Sequence, residues 1–264
     1  TSMPELAVSF FAALEGSADI SIGNVVGSNV FNVYAALGVC GLFAPMLFTR
    51  SNVRRDIPLC IAISALFLIV VATGGNINRT EGILLLASYI AMLYFTIRAD
   101  RKRLMEQSCE VDDAPTMPIW RIVVWIVGGL LGLIYGGQYC VESASAIARS
   151  LGVSEATIAI TLIAGGTSLP ELASSLVSIL RGSPSLALGN ILGSNIANIL
   201  LILGVCSTIT PLQLGDVTMV DIAIAVSAPV ALLITALIIG RNKLTRIESL
   251  AFLAIYAVYV YFLI

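Results

Sequence analysis

The sequence predicts an all-α polytopic membrane protein with an inverted-topology repeat of five spans in each half and a broken signature helix in each repeat. The composition, the recurrence of long apolar runs and an internal duplication predict it. The chain has 264 residues, of which 58% are hydrophobic and 11% are charged. A soluble domain is roughly half apolar and a quarter charged, so a soluble helical bundle would need more charge between its helices.

Each predicted span is an apolar run of roughly the length that crosses a ~30 Å hydrocarbon core. The spans, or the bulk of them, are Ile57–Val71, Ile83–Ile97, Ile119–Tyr139, Ile158–Leu180, Leu186–Cys206, Val220–Ile239 and Leu250–Ile264. A further span lies within Ile20–Phe48, and residues 3–14 have the length of half a span.

The chain has five cysteines and no histidine. Four of the cysteines fall in or near predicted spans, where a thiol packs as a small apolar group, and no disulfide framework is expected. Without histidine, metal sites, catalytic pairs and proton relays that depend on it are excluded. We therefore expect neither an enzyme nor a cofactor, and no nucleic-acid partner.

Two parts of the chain are related by an ungapped duplication with an offset of 166 residues. Such internal self-similarity indicates a repeat architecture. The matching segments are TSMPELA at 1–7 and TSLPELA at 167–173, GNVVGSN at 23–29 and GNILGSN at 189–195, and the pairs Asn32–Asn198, Gly38–Gly204, Cys40–Cys206 and Pro45–Pro211.

The second repeat is preceded by a full span, Ile119–Tyr139, and by the first half of a broken helix, Ala156–Gly166, but the first repeat is not. From the repeat offset we expect the chain as given to begin inside its first repeat and to lack roughly 45–50 residues. Its expected parts are a first half at 1–99, a cytoplasmic linker loop at 100–117 and a second half at 118–264.

Charge asymmetry between loops predicts the orientation. Alternate loops place only Arg79 and Arg149 on one side. By the positive-inside rule the other side is cytoplasmic, and because each repeat has an odd number of spans the two repeats are inverted. The cytoplasmic side receives Arg50, Arg54, Arg55, Arg98, Arg101, Lys102, Arg103, Arg121, Arg181, Arg241, Lys243 and Arg246.

Two acidic residues lie deep in apolar segments, Glu5 and Glu171, at equivalent positions of the duplication. A charge at the membrane centre costs from about 2.5 kcal/mol upward, and no lysine or arginine is embedded beside them. One interpretation is a pair of protonated glutamates that hydrogen-bond between helices. We favour the other, in which the missing positive charge is a transported cation.

The residues around the glutamates favour a transport site. Pro4 and Pro170 remove backbone donors and free carbonyl oxygens, and irregular backbone at membrane depth marks the sites of transporters. A spacing of four residues places polar side chains near one helix face. This spacing occurs at Thr1, Glu5 and Ser9, at Thr167, Glu171 and Ser175, at Ser28 and Asn32, and at Ser194 and Asn198.

The candidate ligands on these spans are Asn32, Asn198, Ser28 and Ser194. Asparagine and serine in membrane helices also serve as interhelical hydrogen-bonding groups. Their neighbours Asn29 and Asn195 are expected to have a structural role. All candidate ligands are hard oxygen atoms, which suit Ca²⁺, whereas soft metals prefer cysteine or histidine. Na⁺ is expected to compete for the same carboxylates.

The motifs TS(M/L)PE and GN-xx-GSN-xx-N, present in inverted duplicate, resemble the α-repeats of the sodium/calcium exchanger family in the cation/calcium antiporter superfamily. The resemblance implies ten spans and a midplane site in which Glu5 and Glu171 bind both ions. It also implies calcium binding by the carbonyls of Thr1 and Thr167. The sodium sites would be completed by Ser2, Ser168, Ser28, Ser194 and the carbonyl of Ala164, with Asn32 and Asn198 at the centre.

Some relatives carry aspartate where this chain has Asn198, so this chain has one acid fewer and potassium dependence is not expected. The short 100–117 loop suggests a prokaryotic-type exchanger of the cell membrane, working as a monomer in the lipid bilayer. We expect electrogenic Na⁺/Ca²⁺ exchange by alternating access. A proton/calcium antiporter using the same glutamates is the main alternative; a channel and an intramembrane protease are less favoured.

Overall fold

The computed structural model describes residues 1–16, 18–107, 118–150, 164–215, 217–239 and 242–263. The predicted helix Ala156–Gly166 lies mostly outside these residues, as do residues 108–117 of the predicted linker. In the first half the helices are α1 (Met3–Leu14), α2 (Ala18–Val30, Phe31–Ala36 and Leu37–Phe43), α3 (Asn52–Asp56 and Ile57–Gly74) and α4 (Arg79–Gln107).

The second half repeats this order. Its helices are α5 (Ile119–Ser150), α6 (Ala164–Thr167), α7 (Leu169–Leu180), α8 (Pro184–Ala197, Asn198–Ile202 and Leu203–Ile209), α9 (Met219–Ile234 and Thr235–Ile239) and α10 (Arg246–Leu263). By the offset of the duplication, α1 corresponds to α7, α2 to α8, α3 to α9 and α4 to α10.

Six helical stretches among the described residues are long and apolar enough to cross a membrane, which confirms the prediction of a polytopic helical protein. They are Ile20–Phe43, Asn52–Gly74, Arg79–Ala99, Pro184–Ile209, Met219–Ile239 and Arg246–Leu263. One detail differs from the prediction: the linker expected to begin at residue 100 continues helix α4 as far as Gln107.

The spans α2 and α8 form the centre of the bundle. In their most apolar windows 78% and 72% of residues are buried, compared with 11% in both α4 and α10. Both central spans contain a π-helical stretch, Phe31–Ala36 in α2 and Asn198–Ile202 in α8. Such local widening of a helix is frequent at functional sites, and here it includes Asn32 and Asn198.

The glutamate-bearing helices α1 and α7 both begin one residue before a proline. Ser2 (φ −69°, ψ 18°) precedes α1, and Ser168 (φ −92°, ψ 3°) separates α6 from α7. Pro4 and Pro170 then occupy the first turn of α1 and α7, where a helix has no partner for the missing N–H. The prolines therefore start half-helices in the interior of the bundle and do not bend continuous ones.

Two short antiparallel β pairs, which the sequence did not predict, connect the repeats. Strand β1 (Met46–Leu47) pairs with β4 (Lys243–Leu244). Strand β2 (Asn76–Ile77) pairs with β3 (Leu212–Gln213). In each pair, one strand lies in a loop of the first half and the other in a loop of the second half. The charge distribution assigns the two loops of a pair to the same side of the membrane, so main-chain hydrogen bonds link the repeats on both sides.

Glycines allow close contact between a central span and an outer span of the other repeat. A Cβ atom on Gly41 in α2 would collide with the hydroxyl of Ser249 in α10, and one on Gly82 in α4 with the hydroxyl of Ser207 in α8. Among the described residues, a Cβ on Gly189 would meet nothing within 4 Å. The tight contacts of Gly41 and Gly82 therefore have no counterpart at Gly23, Gly189 or Gly193 of the duplicated motif.

We predict that Gly41→Ala lowers the free energy of unfolding by about 1–3 kcal/mol, because the added methyl group overpacks this contact. The hydroxyl of Ser249 is also held by its hydrogen bond to the carbonyl of Thr245 (2.7 Å). Thermal melting of the purified protein in detergent measures the effect. Gly128→Ala in α5 is the control, since no described atom lies within 4 Å of the new Cβ; equal melting temperatures for the two variants would contradict the prediction.

Candidate functional site

Two fully buried carboxylates form the centre of the candidate site. Glu5 in α1 and Glu171 in α7 each have 0% of their surface exposed. In the part of the chain that the structure describes, neither forms an ion pair, and their Oε2 atoms have no hydrogen-bond partner. A buried charge normally requires a partner, so the protein itself leaves these two groups uncompensated.

Each carboxylate receives a hydrogen bond from a serine of the other repeat. Ser168 Oγ donates to Glu5 Oε1 (3.1 Å), and Ser2 Oγ lies 3.3 Å from Glu171 Oε1. Both serines directly precede a glutamate-bearing helix, Ser2 before α1 and Ser168 before α7. The starts of these helices therefore bring polar groups from one repeat to the acid of the other, and both halves contribute to a single site.

The surroundings of the two carboxylates differ in one respect. Ser194 Oγ lies 3.2 Å from Glu171 Oε1 and 2.8 Å from Ser2 Oγ. Its equivalent, Ser28, is fully buried, but its Oγ atom has no hydrogen-bond partner. The Glu171 half is thus internally hydrogen-bonded, whereas the Glu5 half retains one more oxygen that is able to bind a ligand.

Asn32 and Asn198 present oxygen atoms without partners from the π-helical stretches. Their amide nitrogens donate across the repeat boundary, Asn32 Nδ2 to Asn195 Oδ1 and Asn198 Nδ2 to Asn29 Oδ1, both at 3.0 Å. Asn32 Nδ2 also lies 3.3 Å from Ser194 Oγ. Their Oδ1 atoms are buried and without hydrogen-bond partners, which is the arrangement that a cation ligand needs.

Asn24 and Asn190, which the sequence analysis did not select, support the glutamate helices. Asn24 Nδ2 donates to the carbonyl of Glu5 (3.2 Å) and to Ser9 Oγ (3.0 Å), and its Oδ1 accepts from Thr167 Oγ1 (3.2 Å). In the other repeat the same bonds link Asn190 to the carbonyl of Glu171 (3.4 Å), to Ser175 Oγ (3.0 Å) and to Thr1 Oγ1 (3.1 Å).

The duplicated GN dipeptide was the signal that could have identified these two asparagines. Each holds the glutamate helix of its own repeat to the threonine of the other. Thr1 and Thr167 are thereby placed beside the site through their hydroxyl groups; their expected contribution through carbonyl oxygens stays a prediction. Ala164, whose carbonyl was the other expected ligand, is the first residue of the short helix α6.

Among the described residues, the buried side-chain atoms of the site without a hydrogen-bond partner are all oxygens. Two are carboxylate, two are amide and one is hydroxyl: Glu5 Oε2, Glu171 Oε2, Asn32 Oδ1, Asn198 Oδ1 and Ser28 Oγ. Leaving a buried polar atom without a partner costs about 1–3 kcal/mol, and more if it is charged. Hard cations such as Ca²⁺ prefer a set of oxygen ligands of this kind, so a bound cation would offset the cost.

Comparison with known proteins gives a consistent result. The family model described as "Sodium/calcium exchanger protein" matches residues 1–98 and 121–264. A relative from Alkalimonas amylolytica named antiporter CaxA is 37% identical over 271 residues, covering 100% of this chain and 84% of the relative. Sodium/calcium exchanger MaX1 of Methanosarcina acetivorans is 28% identical over 256 residues, covering 83% of this chain and 73% of its own.

A solved structure is similar over nearly the whole chain. It is the sodium-calcium exchanger NCX_Mj soaked with Na⁺ and Sr²⁺. The alignment has a TM-score of 0.79 and 29% sequence identity, and it covers 98% of this chain and 82% of NCX_Mj.

We predict that Asn24→Leu lowers the free energy of unfolding by about 1–3 kcal/mol, because it removes a buried amide that hydrogen-bonds to the carbonyl of Glu5 and to the hydroxyl groups of Ser9 and Thr167. Thermal melting in detergent measures this loss. Asn78→Leu is the control, since it makes the same chemical change in an exposed loop. A melting temperature for Asn24→Leu equal to that of the control would show that the network around Asn24 contributes nothing.

Proposed function

The chain belongs to the sodium/calcium exchanger protein family and is a cation/calcium antiporter, and we propose that the ion it exchanges for Ca²⁺ is Na⁺. The observation that carries the proposal is the pair of buried carboxylates that form no ion pair with the described residues and are surrounded by buried oxygen atoms without hydrogen-bond partners. The similarity to NCX_Mj supports it, since NCX_Mj is a sodium-calcium exchanger whose ion exchange and binding-site occlusion were studied with Na⁺ and Sr²⁺.

In this proposal Glu5 and Glu171 bind Ca²⁺ and Na⁺ in turn. The further ligands are those expected from the sequence: Asn32, Asn198, Ser2, Ser168, Ser28, Ser194 and the carbonyls of Thr1, Thr167 and Ala164. Two carboxylates match the charge of one Ca²⁺. Because one chain supplies ligands from both repeats, we also propose that the monomer is the functional unit.

The charge of the site explains why exchange is obligatory. An empty site holds two buried negative charges, each costing from about 2.5 kcal/mol upward at the membrane centre. Switching between the two sides is therefore favourable only when cations fill the site. The inverted repeats supply the two arrangements, since one repeat can move against the other around a site between them.

Sodium rather than proton coupling follows from the variety of the ligands. A proton needs only the two carboxylates, whereas the amide and hydroxyl oxygens around them suit metal ions. We infer potassium independence from Asn198, because an amide replaces the acid of some relatives and no third carboxylate is buried among the described residues. If three Na⁺ exchange for one Ca²⁺, one net positive charge crosses the membrane in each cycle.

We predict that sodium-loaded proteoliposomes take up ⁴⁵Ca²⁺ when diluted into medium free of sodium and potassium. Glu5→Gln and Glu171→Gln should each lower uptake at least about 100-fold, because removing one of two buried charged ligands costs about 3 kcal/mol or more. Glu15→Gln is the matched control. It makes the same change on an exposed residue that directly follows α1, and it should retain uptake.

The same vesicles separate the two couplings. Uptake driven by a pH gradient and indifferent to sodium would contradict sodium coupling and favour proton/calcium exchange at the same site. Absence of calcium flux under both gradients would contradict calcium antiport as a whole.

We further predict that exchange is electrogenic. One charge moved through 100 mV is worth ~2.3 kcal/mol, so a clamped potential of that size should shift the calcium gradient at equilibrium roughly 50-fold. Reversal of ⁴⁵Ca²⁺ flux in vesicles with a valinomycin-clamped potential measures the shift. A gradient that does not change with the potential would indicate electroneutral exchange.

A further inference from the structure

We propose that Asn29 and Asn195 are positioning residues that fix the direction of the two central amides across the repeat boundary. Asn195 orients Asn32, and Asn29 orients Asn198. The sequence suggested only a structural role for the first two residues, because helical spacing directs them away from Asn32 and Asn198 of their own repeat. The inference rests on the proposed function, since it concerns how the site presents oxygen atoms to Ca²⁺.

Two main-chain carbonyls anchor the direction of the network. Asn195 Nδ2 donates to the carbonyl of Asn29 (3.2 Å), and Asn29 Nδ2 donates to the carbonyl of Asn195 (3.4 Å). A carbonyl oxygen can only accept a hydrogen bond, so each side chain must direct its nitrogen towards it. The Oδ1 atoms of Asn29 and Asn195 are consequently directed away from the two carbonyls.

The orientation of the Asn29 and Asn195 amides in turn fixes the orientation of the candidate ligands Asn32 and Asn198. Asn195 Oδ1 accepts from Asn32 Nδ2, and Asn29 Oδ1 accepts from Asn198 Nδ2, both at 3.0 Å. An amide whose nitrogen is bound in this way must present its oxygen on the opposite side. In both ligands this oxygen is buried and without a hydrogen-bond partner, and all four residues are at most 4% exposed.

Amide direction matters because the two ends of an amide act oppositely on a cation. The oxygen is a ligand, whereas an NH₂ group in its place removes that ligand and directs partial positive charge at the ion. A neutral asparagine therefore serves a cation site only if its rotation is fixed. Groups that orient metal ligands typically affect metal affinity roughly 10- to 100-fold.

Each hydrogen bond between amides joins residues of different repeats, Asn195 with Asn32 and Asn29 with Asn198. This crossed pattern makes a prediction that a purely structural role of Asn29 and Asn195 would not make. Asn195→Ala removes the shorter of the two hydrogen bonds that Asn32 Nδ2 donates and leaves it only the 3.3 Å contact with Ser194 Oγ. It leaves the side chain of Asn29 in place, because that side chain is anchored to the main chain of residue 195. The loss should therefore be coupled to Asn32 of the other repeat and independent of Asn198 on the same helix. Residues that share an interaction are non-additive, whereas independent sites add.

The test is a pair of double-mutant cycles on the complete protein, with ⁴⁵Ca²⁺ binding in detergent as the readout. We expect Asn195→Ala alone to weaken Ca²⁺ affinity roughly tenfold or more. In an Asn32→Ala background the same substitution should cause little further loss of affinity. In an Asn198→Ala background it should weaken affinity by the same factor as in the unsubstituted protein. The reciprocal cycles use Asn29→Ala, with the roles of Asn32 and Asn198 exchanged, and they are the matched control.

Each outcome decides the matter. Crossed non-additivity in either set of cycles supports the inference. Equal additivity in both backgrounds, or coupling within one repeat, would overturn it while leaving calcium antiport intact. If Asn195→Ala and Asn29→Ala both fail to fold, the network serves folding and the inference is wrong. Absence of Ca²⁺ binding by the unsubstituted protein would instead overturn the proposed function, and this inference with it.

Discussion

The interior of the bundle is organised around two carboxylates that form no ion pair with any described residue. Glu5 and Glu171 are buried in helices that are otherwise largely apolar. The fold places polar groups around these carboxylates. The starts of the glutamate-bearing helices bring serines from the opposite repeat, and the π-helical stretches of the central spans bring amides. A lysine or arginine in the site would satisfy the charges more simply, but it would also compete permanently with any cation that has to enter and leave.

The sequence was sufficient to predict the class of fold and to select the two carboxylates that the structure buries, Glu5 and Glu171. Composition and run length determine that helices cross a membrane, because no other structure satisfies the backbone of so many apolar residues there. The duplication then distinguishes Glu5 and Glu171 from the other acids without any structural knowledge. These features are local or periodic, so they can be read from a single chain.

The remaining features depend on contacts between residues far apart in the chain. The direction of the Asn32 amide is set by Asn195, 163 positions away, and no local pattern encodes which end of an amide faces a site. The same holds for the β pairs and for the contact of Gly41 with Ser249. Asn24 was missed although its motif was recognised. One of its hydrogen bonds comes from Thr167, 143 positions away beside the break between α6 and α7, and only the folded chain brings these two residues together.

The glycine contacts have a consequence for the symmetry of the two repeats. Gly41 in α2 of the first repeat faces Ser249 in α10 of the second, and between the corresponding helices Gly82 in α4 of the first repeat faces Ser207 in α8 of the second. At both contacts the first repeat supplies the glycine and the second supplies the hydroxyl group that occupies the space beside it. The two halves are therefore complementary at these contacts, and neither half could take the place of the other there.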